Sequence, residues 1–133
     1  MTDATAGQLA VAYDDTDAAR RAVAFAIDRA SLTGERVDVV HAGNDLTEVQ
    51  IRDVVAPLFE DRDVDFDVAV LPIGGSEDEN VSASKALTDY LRRHNYEYLL
   101  MGNEKHGLAH SLTEASVSSD VIESQSIPVL LVP

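Results

Sequence analysis

The residues best placed to do chemistry gather between Leu99 and Ser118, in the stretch LLMGNEKHGLAHSLTEASVS. An apolar run, Leu99, Leu100 and Met101, breaks at Gly102. A polar loop with a second glycine, Gly107, then leads to a helix-like start at Ala115, Ser116 and Val117. A strand, a loop and a helix N-terminus in that order leave main-chain N–H groups unpaired at the positive end of a helix dipole, where an anion is held. Lys105 and His106 bring positive charge to that loop, while Glu104 and Glu114 oppose it. His106 and His110 stand four apart, a ligand spacing on a helix, but they fall in a loop segment and no carboxylate completes a metal pattern. No metal site is assigned. No Ser-His-Asp order or paired-carboxylate motif stands out, so no catalytic residue is assigned either.

The elements that must position this loop follow from the chain in order. Residues 1–7 are polar and expected to fray. Leu9 to Tyr13 is a continuous apolar run, as in a strand buried on both faces. It stops at Asp14-Asp15-Thr16-Asp17, residues that cap helices. Ala19, Ala22, Val23, Ala26, Ile27 and Ala30 then recur at helical spacing, and Gly34 ends the helix. Val37 to Ala42 is a second strand. Thr47 and Gln50 form a capping-box pattern before a stripe of Ile51, Val54, Val55, Leu58 and Phe59, in which Pro57 should kink or shorten the helix. Val64, Phe66, Val68 and Val70 alternate with Asp65, Asp67 and Ala69, the mark of an edge strand.

After a turn at 72–76, Ala83, Ala86, Leu87, Tyr90, Leu91 and His94 repeat at helical spacing, which places His94 on a packed face. Tyr98 to Met101 is the next strand, 115–124 a short helix, and 127–132 a final strand with Pro128 suited to an edge. Strands and helices alternate throughout. That order predicts a doubly wound α/β fold, a parallel sheet with helices on both faces, whose ligands bind beyond the carboxyl ends of the strands. Asp14, His41 and Gly102 each fall at or just after such an end, and His41 is read as lining that cleft and not as a general base.

Composition narrows the partners. The 133 residues fit one domain, 1–133, and 45% apolar against 26% charged residues is a globular balance. With no cysteine, disulfides and thiolate chemistry are excluded. A formal charge of −14 argues against nucleic acid and anionic membranes as partners. The N-terminus lacks the charge and apolar core of a signal peptide, so a cytoplasmic setting is expected. Lys85 and Lys105 are the only lysines, and such an Asp-rich, Lys-poor composition is like that of proteins from salt-loving organisms. At molar salt the Debye length falls to ~3 Å, which screens self-repulsion.

The chain resembles the universal stress protein family over nearly its whole length. Tyr13-Asp14 followed by Thr16, His41-Ala42, the run Tyr98 to Gly102, Ala115-Ser116-Val117-Ser118 and the closing 128–132 carry the likeness in order. It implies a Rossmann-like sheet of five parallel strands in the order 3-2-1-4-5, and a homodimer formed through strand 127–132. One branch of the family binds ATP through Gly-x-x-Gly, nine residues, then Gly-Ser or Gly-Thr. Aligned on Gly102, the second glycine falls on Lys105 and the third on Ala115, with Ser116 retained and Gly107 available as a shifted glycine. Where φ must be positive a side chain costs ~1–2 kcal/mol, so two replacements weaken ATP binding by roughly 30- to 1000-fold.

Two readings follow from the resemblance. The first is a non-catalytic homodimeric stress-response protein with a degenerate nucleotide loop, acting through unidentified protein partners. The alternative is a switch that binds ATP or AMP with magnesium. Its site would be Ala12, Tyr13, Asp14, Ala42, Met101, Gly102, Lys105, Gly107, Ala115, Ser116, Val117 and Ser118. In it Ser116 and Ser118 bond phosphate and Asp14 takes a ribose hydroxyl; otherwise these side chains only cap helices. A phosphoacceptor receiver, suggested by Asp14-Asp15, is rejected. Leu71-Pro72-Ile73 stands where its third-strand aspartate would be, and no lysine follows the last strand.

Overall fold

The computed structural model describes residues 7–74, 79–103 and 127–133. Five strands, β1 (Gln8–Ala12), β2 (Arg36–Ala42), β3 (Phe66–Leu71), β4 (Tyr98–Gly102) and β5 (Val129–Val132), form one sheet in the order β3-β2-β1-β4-β5. Every pairing is parallel. The helices are α1 (Asp17–Thr33), α2 (Glu48–Phe59) and α3 (Glu79–Arg92). The expected helix at 115–124 lies outside the described residues, as does the loop before it.

Period-two alternation along β1 divides the core between the two faces of the sheet. Leu9, Val11 and Tyr13 pack with α1 and α2, together with Val37, Val39 and Leu100. Ala10 and Ala12 point the other way, toward Ala83, Leu87 and Leu91 of α3. The alanine stripe of α1, Ala19, Ala22, Ala26 and Ala30, is fully buried, so this helix lies close on the centre of the sheet. Gly34 closes α1 with φ +82° and donates its N–H to the Ala30 carbonyl, the left-handed cap its position predicted.

Thr47 and Gln50 make the capping box at the start of α2. Pro57 sits inside that helix, which ends two residues later, with the Glu60 N–H turning to the Pro57 carbonyl. Pro57 falls in the last turn, and the N–H it lacks would have bonded one turn back, at the carbonyl of the exposed Asp53. Strand β3 is an edge, as its alternation indicated, although its ladder starts at Phe66 and not at Val64. Strand β5 is the other edge. Pro128 immediately precedes it and uses its carbonyl to accept from the Leu99 N–H. His94 departs from the helical reading. It lies past the end of α3, exposed, with its ring stacked on Tyr90 and Nδ1 bonded to the Tyr90 carbonyl.

Candidate functional site

The carboxyl ends of β1, β2 and β4 meet at one end of the sheet. Ala12 is level with Val40 of β2 and Met101 of β4, and Gly102 is level with Val132 of β5. Ala12, Ala42 and Met101 share the α3 side of the core and are buried. Tyr13 is 1% exposed, but its side chain points the opposite way, into the α1 side, and its phenol donates to Asp15 Oδ1 at 3.1 Å. Of the described candidates, therefore, Ala12, Tyr13, Ala42 and Met101 stand at the carboxyl ends of the strands with their side chains packed in the core. Asp14 brings the one carboxylate among them.

Asp14 does not cap α1. Thr16 does, its hydroxyl oxygen accepting the Ala19 N–H at 3.0 Å while its O–H donates to Asp14 Oδ1 at 2.7 Å. One side chain thus closes the helix and aims the half-buried carboxylate beside it. Asp15, next along, adopts φ +58°, a left-handed turn that aspartate tolerates better than most residues. Its carboxylate is held by Tyr13 and by Arg20 Nη1 at 3.2 Å, and Arg20 also pairs with Asp17. That pairing holds the Asp17 carboxyl below its usual range.

Gly102 has a reason to be glycine that needs no ligand. A Cβ there would come within 2.6 Å of the Ala18 carbonyl carbon, at the start of α1. On the β2 side, the His41 ring is 5% exposed, with Nδ1 2.7 Å from the Tyr13 carbonyl and Nε2 2.8 Å from Asp45 Oδ1. Asn44 pairs reciprocally with the main chain of Ile73, its Nδ2 donating to the carbonyl and its Oδ1 accepting the N–H, which fastens the β2–α2 loop to the end of β3. Asp45, Asn44 and Gly43 were not singled out from sequence. The available signal was an aspartate four residues after a strand-end histidine, with a glycine between them.

Lys105, Gly107, Ala115, Ser116, Val117 and Ser118 lie outside the described residues, as do His106 and His110. Among the described residues, no three His, Cys, Asp or Glu side chains gather as metal ligands, and no helix is long and apolar enough to cross a membrane.

The sheet order and the helix layers on both faces define a doubly wound α/β protein, the class in which ligands bind outside the carboxyl ends of the strands at the switch in strand order. Residues 7–133 match the universal stress protein family model, and the chain belongs to that family. No curated protein matches it in sequence. Among solved structures it is similar to the universal stress protein from Archaeoglobus fulgidus in complex with dAMP, with a TM-score of 0.62 and 20% identity over 96% of this chain and 98% of that one. A universal stress protein in complex with cAMP gives a TM-score of 0.66 and 19% identity, over 96% and 98% of the two chains. A family member from Burkholderia pseudomallei gives a TM-score of 0.65 and 19% identity, over 96% of each. At these identities the likeness is one of fold.

Proposed function

We propose that this chain serves the stress response as a non-catalytic homodimer whose cleft holds an adenine nucleotide by its nucleoside end, taking monophosphates in preference to ATP. The observation that carries this reading is Asp14, half-buried beside the ends of β1 and β4 and oriented by the Thr16 hydroxyl. Two solved proteins of the same fold hold dAMP and cAMP. Lys105 and Ala115 stand where a triphosphate-wrapping loop needs glycine, whereas Ser116 and Ser118 suffice for one phosphate.

Calorimetry with AMP, cAMP and ATP with magnesium tests this. Heat is expected from the monophosphates, with ATP binding more weakly than AMP. ATP binding at least tenfold tighter than AMP would return the chain to the ATP-switch reading. No heat from any of them at millimolar concentration would sink the nucleotide part.

The dimer is proposed through β5. The amides of Leu130 and Val132 belong to the parallel ladder with β4, so those of Val129 and Leu131 face the open edge. Leu130 and Leu131 are 38% and 37% exposed there, leaving an apolar edge that a second copy would cover. Leu131→Pro removes an outward donor without touching the β4 ladder. Sedimentation should show a monomer for that variant and a dimer for the parent. The acidic, lysine-poor composition supports a cytoplasmic setting at molar salt, of the haloarchaeal kind.

A further inference from the structure

Both ring nitrogens of His41 meet oxygen atoms that only accept. Nδ1 faces the Tyr13 main-chain carbonyl at 2.7 Å, and Nε2 faces the Asp45 carboxylate at 2.8 Å. A neutral ring has one N–H and satisfies one of these contacts; only the imidazolium form, which donates from both nitrogens, satisfies both. Asp45 stays ionised opposite it. Burial pushes its carboxyl up, but hydrogen bonds from His41 and from its own main-chain N–H hold it below the usual carboxylate range. Gly43 leaves room for the contact: a Cβ there would lie 2.9 Å from Nε2 and 2.7 Å from Asp45 Oδ1. Among the described residues, the neighbouring charged groups at this end of the sheet have partners of their own. Asp14 accepts from Thr16, Asp15 and Asp17 are held by Arg20, and Glu48 of α2 is held by Arg52. Tyr13 offers the ring its carbonyl and not its phenol, which is bonded to Asp15.

We infer that His41 is a proton-dependent positioning residue. Carrying two ring protons, it ties the end of β1, one residue before Asp14, to the β2–α2 loop, and losing one proton releases that tie. A neutral ring would set a lone pair against a carbonyl or a carboxylate oxygen at under 3 Å, with the ring itself buried and the Asp45 carboxylate at the surface, free to turn to water. The release shifts Asp14 and the loop on either side of the cleft. Its effect on nucleotides rests on the reading of the cleft proposed above, whereas the tie itself does not.

The comparison runs from about pH 5 to about pH 9, across the whole range in which histidine side chains ordinarily change charge. Nitrogen NMR of the full chain should show both ring nitrogens protonated at the lower pH. Raising the pH should move the amide signals of Asp14, Asn44 and Asp45 together with the loss of the ring proton. Asp45→Asn is the discriminating variant, because the side chain at 45 is 73% exposed and the change should not disturb folding. An amide there donates to Nε2, so a neutral ring satisfies both contacts, and the same signals should stay fixed across the range. A singly protonated ring at the lower pH in the parent, or amide shifts unchanged by Asp45→Asn, overturns the inference. Binding of cAMP, whose phosphodiester keeps one charge throughout, should weaken by about tenfold between the two pH values in the parent, the scale of one charge-assisted hydrogen bond. In Asp45→Asn it should hold steady. If the amide shifts appear but cAMP binds at neither pH, the nucleotide reading falls and the tie stands.

Discussion

Gly102 at the end of β4 lies against Ala19 in the first turn of α1, so closely that a methyl group on Gly102 would sit 2.5 Å from the Ala19 main-chain nitrogen. Ala18 and Ala19 are buried, and the Ala19 N–H is already bonded to Thr16, so the helix start has no room to retreat. The glycine is thus a requirement of packing before it is one of binding. Gly102→Ala should lower stability by about 1–3 kcal/mol, the usual cost of overpacking. A urea titration should show an earlier midpoint with an unchanged slope. An unshifted midpoint would mean that α1 yields at this contact.

Thr16 serves two neighbours, and substitutions separate its duties. Thr16→Ala removes the α1 cap and the donor that orients Asp14. The cap alone is worth about 1 kcal/mol. Thr16→Ser keeps the hydroxyl and should restore both stability and any nucleotide affinity lost by the alanine variant. Thermal melts read the first effect and calorimetry the second. If serine and alanine weaken binding alike, the hydroxyl does not orient the carboxylate.

The framework was legible from residues 8–74 because each element there carries a local signal with one physical solution: alternation for β3, an alanine stripe for α1, a capping box for α2. The cleft was legible only as a set of strand ends. Tyr13 looked like a lining residue because it precedes Asp14, yet pleating turns its side chain into the α1 core. The capping role went to Thr16 and not to Asp14, a choice made by where the helix begins, which sequence locates only to within a residue or two. His94 kept the spacing of α3 but not its helix, since the turn at 93–95 intervenes. The contact between His41 and Asp45 depends on the curl of the β2–α2 loop and on a ring's two edges, neither of which leaves a periodic trace.

Tyr96 marks the opposite end of the sheet. Its ring is buried against α3 and its hydroxyl donates to Asp38 Oδ2 at 2.9 Å, while Arg36 holds the other carboxylate oxygen. Burial, the Tyr90 hydroxyl and the Asp38 charge push the phenol well above its ordinary range. The folded state therefore favours the protonated phenol. That contribution is complete below about pH 10 and fades as the pH rises through the folded value. Tyr96→Phe should cost about 1.5–3 kcal/mol at neutral pH, the range of a hydrogen bond to a charged group. It should also flatten the alkaline limb of a stability profile, which denaturant melts at stepped pH will read.

Asp67 works in the other direction. Its carboxylate accepts the Val68 N–H and pairs with Arg52, and these contacts hold its carboxyl below the usual range, with Arg36 adding at longer reach. A depressed folded value means stability that is present above the unfolded value, about 3.9, and is lost as pH falls through the folded one. Asp67→Asn should therefore narrow the difference in melting temperature between neutral and strongly acid solution. Because the side chain is 58% exposed, solvent screens the pair and the change should be small. An unaltered acid limb would show that the pair contributes nothing measurable.

Salt should act on the whole molecule. Ten Lys and Arg stand against twenty-four Asp and Glu, and most of the ion pairs joining them lie at exposed positions that stabilise little. Two effects of added salt compete: it screens those pairs, and it screens the mutual repulsion of the surplus acids. With a surplus of fourteen negative charges the second effect wins, since each unpaired carboxylate repels many others while each pair involves only two groups. The melting temperature should rise from millimolar to molar potassium chloride. Replacing several exposed acids distant from the cleft, such as Asp53, Glu60 and Asp63, with lysine should reduce that rise. A melting temperature that is flat with salt in the parent would show that its acids are spaced too widely to repel, and would remove the ground for reading the composition as an adaptation to brine.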